Sequence, residues 1–194
     1  MKEGREMKES GEGKLLIETK EPVSGCCGGS RCDCSDTSLK KQVLIEFLYL
    51  DLSQCDRCQG TDANLDEAIA QVRPVLAAAG FDLKVEKINV NTKELAIKHQ
   101  FLSSPTIRVN GQDIDFVVRE SDCRECGDLC GDQVSCRVYD YEGTEHNEPP
   151  RSMIIEAILK QIFGGARIME HQTEYVLPEN LARFYERMEE LRGV

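Results

Sequence analysis

The run VLIEFLYL at positions 43–50 limits what this chain can fold into more than any other stretch. It is almost continuously apolar and rich in β-branched and aromatic residues, as a strand covered on both faces must be. A strand of that kind needs a layer on each side, and the next residues begin to supply one. Leu65, Ile69, Val72, Leu76 and Ala79 recur at helical spacing. The stretch FDLKVEKINV at 81–90 then reads as a second strand. Strand, helix and strand in this order make a right-handed parallel crossover.

The flanking signals complete the outline. Thr61 or Asp62 is suited to cap the first helix, Asp62, Asp66 and Glu67 suit its early turns, and Gly80 ends it. Pro74 predicts a kink or break just before it. Thr92 caps a short helix that runs to about His99. The Asn110–Gly111 pair marks a hairpin between strands near 106–109 and 113–118. The stretch PPRSMIIEAILKQIFGG at 149–165 is a helix opened by prolines and closed by glycines. Ile154, Ile155, Ile158, Leu159 and Ile162 give it an apolar face. A last helix over 178–191 carries Leu181, Phe184, Tyr185, Met188 and Leu191 amid mixed charges. Periodicity leaves open whether it docks on the domain or joins two copies as a homodimer.

The expected architecture is α/β, a mixed sheet flanked by helices. Residues 1–40 form a Cys-rich, flexible tail, 41–165 the domain with a Cys-rich insert at 119–148, and 166–194 a helical extension. A net charge of −11 argues against nucleic acid or an anionic membrane surface as partner. No apolar run is long enough to span a bilayer, and the first residues hold no apolar signal core. The chain is therefore expected to be cytoplasmic. In a reducing compartment ten cysteines are more useful as redox groups or metal ligands than as structural disulfides. Most of them stand among Gly, Asp, Ser and Arg rather than among apolar residues.

Cys55 and Cys58 form a Cys-x-x-Cys between the first strand and its helix. Such a pair can act as a dithiol or as half of a metal site. The strand at 43–50, the Cys55–Asp56–Arg57–Cys58 turn after it, and Ser104–Pro105–Thr106 before the hairpin together resemble the thioredoxin-like superfamily, as a divergent branch of unassigned function. The resemblance spans roughly residues 42–165, interrupted by the insert. It implies a thioredoxin-like fold, a cis-Pro105 facing the cysteine pair, and substrate docking along the backbone beside Pro105. Three departures are visible: no Trp precedes Cys55, Asp56 and Arg57 separate the thiols, and Gln59, Gly60 and Thr61 delay the helix. On this reading Cys55, accessible at the end of its strand, attacks a disulfide and Cys58 resolves the mixed disulfide. Arg57 favours the Cys55 thiolate, and Asp56 opposes it.

Cys123, Cys126, Cys130 and Cys136 form a second constellation. Four thiolates in one loop can close a tetrahedral zinc site, with His146 a possible substitute ligand, or ligate an iron–sulfur cluster, and the alternative is a redox disulfide pair; Gly127 and Gly131 let the backbone turn around an ion. No cofactor is fixed by the sequence; zinc is the leading expectation and the cluster the lesser one. Cys26, Cys27, Cys32 and Cys34 make a soft-ligand set of the kind that holds Cu(I), Hg(II) or As(III). Two functions stand side by side. One is a thiol–disulfide oxidoreductase acting on a protein or small-molecule disulfide. The other is a protein that binds or detoxifies a soft metal or metalloid (Zn, Cu, Hg, As) on the same scaffold. No glycine fingerprint for nucleotide binding is present.

Overall fold

The computed structural model describes residues 40–164 and 174–193. The chain divides into two units, Met1–Thr37 and Ser38–Val194, and every described residue belongs to the second. The expectations placed on the tail, and on Cys26, Cys27, Cys32 and Cys34 in particular, lie outside the described residues.

Strand β1 (Lys41–Tyr49) lies inside a four-stranded mixed sheet. It pairs in parallel with β2 (Phe81–Asn89), Val43 opposite Leu83 and Ile45 opposite Val85. On its other side it runs antiparallel to β3 (Thr106–Val109), with Phe47 opposite Ile107. The two-residue β4 (Gln112–Asp113) completes the order β2-β1-β3-β4. Asn110 and Gly111 both hold positive φ, 51° and 78°, as a tight hairpin turn requires.

The alternation of side chains along β1 divides the core into two layers. Val43, Ile45 and Phe47 point into one, with Leu65, Val72 and Leu76 of α1 (Asp56–Ala78) and Ile154 and Ile158 of α4 (Arg151–Phe163). Leu48 and Leu50 point into the other, with Ala96 of α2 (Lys93–Lys98) and Leu181, Phe184 and Tyr185 of α5 (Glu179–Arg192). Helix α5 thus buries its apolar stripe on its own chain, and the Tyr185 hydroxyl donates to Val90 O at 2.8 Å. No helix among the described residues is long and apolar enough to cross a membrane.

Three local expectations change. Helix α1 begins at Asp56 with Cys55 as its N-cap, not at Thr61 or Asp62. Thr61 is buried on its inner face instead. Pro74 does not end the helix. Its missing N–H falls on the exposed side, while Val72 and Leu76 keep the opposite side packed. The strand expected over 113–118 stops at Asp113, because Arg137 takes both the Asp113 carboxylate (2.6 Å) and Asp115 O (2.5 Å).

The insert is more ordered than a Cys-rich loop. Strand β5 (Arg119–Asp122), helix α3 (Arg124–Cys130), strand β6 (Ser135–Tyr141) and strand β7 (Thr144–His146) build a second, three-stranded antiparallel sheet. Glu142 and Gly143, with φ of 53° and 76°, turn β6 into β7. Val134, Val138 and Tyr139 are buried, so the insert owns a small apolar core that its composition conceals.

Candidate metal centre

The segment after β1 is shaped by Asp51. Its carboxylate accepts from the backbone N–H of Ser53 and Gln54, each at 2.7 Å, and from Ser53 Oγ at 2.8 Å. That turn delivers Cys55 in extended geometry (φ −87°, ψ 108°) to the start of α1. The Cys58 N–H then donates to Cys55 Sγ at 3.4 Å, so sulfur does the capping that an oxygen usually does. Gln59 Nε2 bonds Leu52 O at 2.9 Å and ties the first turn back to the loop.

Cys58 lies one turn on, buried, with its sulfur 3.4 Å from Ser104 Oγ. Ser104 Oγ also accepts from Leu50 N at 3.1 Å. The Ser104–Pro105 peptide is cis. Strand β6 lies along this segment: Arg137 N donates to Ser104 O at 2.6 Å and the Tyr139 hydroxyl to Pro105 O at 2.7 Å.

Two arginines fasten the insert to the sheet domain. Arg137 has no exposed surface; it binds Asp113 Oδ2, Thr106 Oγ1 (2.9 Å) and Asp115 O, and lies 5.2 Å from the centre of the Tyr139 ring. Burial pushes the Asp113 carboxyl above its usual range, against the pull of Arg137. Arg57 reaches from the first turn of α1 to the carbonyls of Asp122 (2.8 Å), Cys136 (3.2 Å) and Ser121 (3.4 Å). Its guanidinium therefore holds the insert's backbone.

This fastening carries the insert's cysteines onto Cys55. The sulfurs of Cys55, Cys123, Cys126 and Cys136 all lie within 4.8 Å of one another, and all four residues are buried. Cys126 and Cys136 are 3.4 Å apart. Four thiolates around one tetrahedral zinc, at about 2.3 Å each, stand about 3.8 Å from one another. The set is thus close to the size of a closed single-ion site. Three of the sulfurs come from the insert and the fourth from the sheet domain.

The thiols share protons unequally. Hydrogen bonds from Cys123 first, then from Cys126, Cys136 and Cys58, hold Cys55 well below the ordinary thiol range. Cys123 is lowered too, mainly by Cys126. Cys136 and Cys126 are pushed up, each chiefly by its bond to Cys123, with burial adding to it. Cys58 is raised by its bond to Cys55 and by burial. Ionisation is therefore favoured at Cys55 and Cys123 and disfavoured at Cys126, Cys136 and Cys58.

The expected residues divide as follows. Cys55, expected to be accessible, has no exposed surface and is packed with the cysteines of α3 and β6. Cys130, expected among the metal ligands, stands outside the group: its thiol turns to Gly127 O (3.8 Å) and Asp132 O (3.7 Å) at the end of α3. A seven-residue helix places Cys123, its N-cap, and Cys126 one turn apart, whereas Cys130 is a further turn away. His146 pairs with Tyr139 across the β6–β7 ladder and is not in the cluster. The Cys-x-x-Cys spacing admits half of a metal site completed from the tail or the insert, but which cysteines meet Cys55 depends on contacts between segments far apart in the chain.

No curated protein and no solved structure matches the chain. Residues 43–158 match the model of a domain of unknown function, DUF2703, and this stretch runs from β1 through the insert into α4. It covers more than half of the 194 residues and contains every cysteine of the cluster, so the chain belongs to the DUF2703 family.

Proposed function

We propose that the protein binds one soft divalent metal ion, with zinc as the reference ion, through Cys55, Cys123, Cys126 and Cys136. One observation carries this reading: four buried sulfurs from two distant segments converge within 4.8 Å. Without a cation, such a cluster crowds ionisable groups in a place water does not reach. With one, the four thiolates close a tetrahedral shell, and the start of α1 adds a favourable dipole at Cys55. The compactness favours a single ion over an iron–sulfur cluster, whose cysteines stand around several metal atoms. The scaffold we propose is thioredoxin-like. The β1–α1–β2 crossover, the hairpin β3–β4, the Cys-x-x-Cys at the start of α1 and the position of Pro105 support that assignment.

The test is metal analysis of protein purified without air, on wild type and three serine variants. About one equivalent is expected in wild type and in Cys130→Ser, with loss in Cys55→Ser and Cys136→Ser. Equal loss in Cys130→Ser and Cys55→Ser would refute the ligand assignment. Cobalt in place of zinc should give the intense sulfur-to-metal absorption of a tetrahedral thiolate site. The tail cysteines are proposed as carriers of further soft ions. Replacing all four with serine should then remove any metal beyond the first equivalent.

A second reading is thiol–disulfide exchange by Cys55 and Cys58. The placement of Cys55 at a helix N-cap, with Cys58 bonded to it, supports this chemistry. Its substrate would have to be small, or the insert would have to lift. Failure of the metal-free protein to reduce any small disulfide would remove it.

A further inference from the structure

Cys55 belongs to two pairings at once. It is a member of the four-sulfur cluster, and as the N-cap of α1 it also accepts from the backbone N–H of Cys58, a residue outside that cluster whose thiol bonds the Cys55 thiol one turn along the helix. Cys58 has no exposed surface, and its thiol also meets Ser104 Oγ and the Asp51 backbone. As a ligand it is redundant; a small buried apolar residue here would keep the backbone bond to Cys55 Sγ but would have neither the thiol contact with Cys55 nor the one with Ser104. Cys55 is also the cluster's sole sulfur from outside the insert. A bond made at Cys55 therefore cuts the metal's only covalent tie to the sheet domain.

We infer that Cys58 is a release trigger, a thiol placed to take Cys55 away from the metal when a small hydroperoxide oxidises it. The inference rests on the four-cysteine metal reading. The oxidant must be small because Cys55 has no exposed surface. The Cys55 thiolate attacks the peroxide O–O bond, giving Cys55 sulfenic acid and an alkoxide or hydroxide, which takes a proton from water. The Cys58 thiol then attacks the Cys55 sulfur; an S–S bond forms, the S–O bond breaks, and the hydroxyl leaves as water with the Cys58 proton. Two sulfurs each lose one electron, the peroxide gains both, and the metal keeps its oxidation state. Three thiolates remain and the shell opens. A dithiol reductant returns two electrons and restores the fourth ligand.

The geometry also defines the rival. Cys126 and Cys136, with sulfurs 3.4 Å apart, could close first and release the metal without Cys58. The experiment uses the full chain with Cys26, Cys27, Cys32 and Cys34 replaced by serine, loaded with zinc under argon. Hydrogen peroxide is added with a chromogenic chelator present, and zinc appearance is measured per bound zinc. Peptide mapping follows the first disulfide. Cys55–Cys58 is expected first, and Cys58→Ser should release zinc about tenfold more slowly. Equal rates, or Cys126–Cys136 as the first disulfide, would overturn the inference. The mapping needs no substitution at Cys58, so it decides even where that variant folds poorly. A starting chain that holds no zinc would overturn the metal reading itself, which separates the two failures.

Discussion

The four-stranded sheet and the insert are held by different forces. Around β1 the contacts are almost wholly apolar: Ile45, Phe47, Leu65, Ile107 and Ile158 are all free of solvent exposure. Burial of this kind is non-directional and scales with area, at about 25 cal/mol per Å². The insert buries only a few apolar side chains and is tied down by Arg57, Arg137 and four sulfurs. Those ties are directional, and a buried guanidinium is stabilising only while its partners are all present. The sheet can lose one contact and keep its shape. The insert depends on each of its fastenings, and the four-sulfur cluster is built where the two regions meet.

Substitutions should separate these regions, and the largest effect belongs to Arg137. Arg137→Ala leaves Asp113 half-enclosed without its cation and frees Asp115 O. A loss of about 3–5 kcal/mol is expected in urea unfolding, together with loss of zinc. Zinc retained at full stoichiometry would mean that the insert holds the ion without docking. Ile107→Ala should cost about 2–5 kcal/mol through a cavity between β3 and the helices, yet leave zinc per folded molecule unchanged. Arg57→Ala removes three carbonyl contacts and should cost about 1.5–3 kcal/mol. Its sharper readout is local: in metal-free protein, Cys55 should alkylate about tenfold faster as the insert opens. An unchanged alkylation rate would show that Arg57 does not keep the insert closed.

The metal centre should also respond to pH. Cys126 and Cys136 hold raised pKa values and enter as thiols, whereas Cys55 and Cys123 are lowered by their neighbours' hydrogen bonds. Binding then releases about two protons per zinc near neutral pH. Because protons are products of binding, affinity rises with pH and falls on acidification, by about a hundredfold per unit in that window. Calorimetry in buffers of different ionisation enthalpy measures the proton count directly. A count near zero would mean that the four thiols are already ionised, or that they are not the ligands.

How far the sequence could be read follows the same division. The apolar run of β1, the helical repeat from Leu65 to Leu76, the Asn110–Gly111 turn and the Thr92 cap are local patterns, and each appears in the structure where those residues predict it. Helix α1 starts earlier than the sequence predicts: Gly60 reads as a poor helix residue, while Asp51 and Gln59 fix the turn through contacts that propensity ignores. The insert's second sheet left one usable sign, the Glu142–Gly143 pair between short alternating segments. It was masked by the polar residues of β5 and by Arg137, whose burial only the fold explains. The cysteines of the insert announced a cluster by their spacing. Which of them join it depends on the turn of α3 and on the docking of β6 beside Ser104, so the exchange of Cys130 for Cys55 could not be read locally.

The smallest effect is expected at the seam itself. A Cβ on Gly60 would collide with the Glu148 carboxyl group, where the insert's last residues return to α4. Glu148 must therefore move in Gly60→Ala, but what moves is the free end of a flexible side chain. Burial raises the Glu148 carboxyl, and the charges of Asp56 and Cys55 push it in the same direction. Turning outward into water therefore relieves the carboxylate rather than breaking a bond. Alanine in the first turns of α1 also gains up to about 1 kcal/mol of helix preference over glycine. The two effects oppose each other, and the melting temperature should hardly change, with zinc stoichiometry intact. A loss as large as that of Arg57→Ala would give Glu148 a different part: a third fastening of the insert, set against the helix start that carries Cys55.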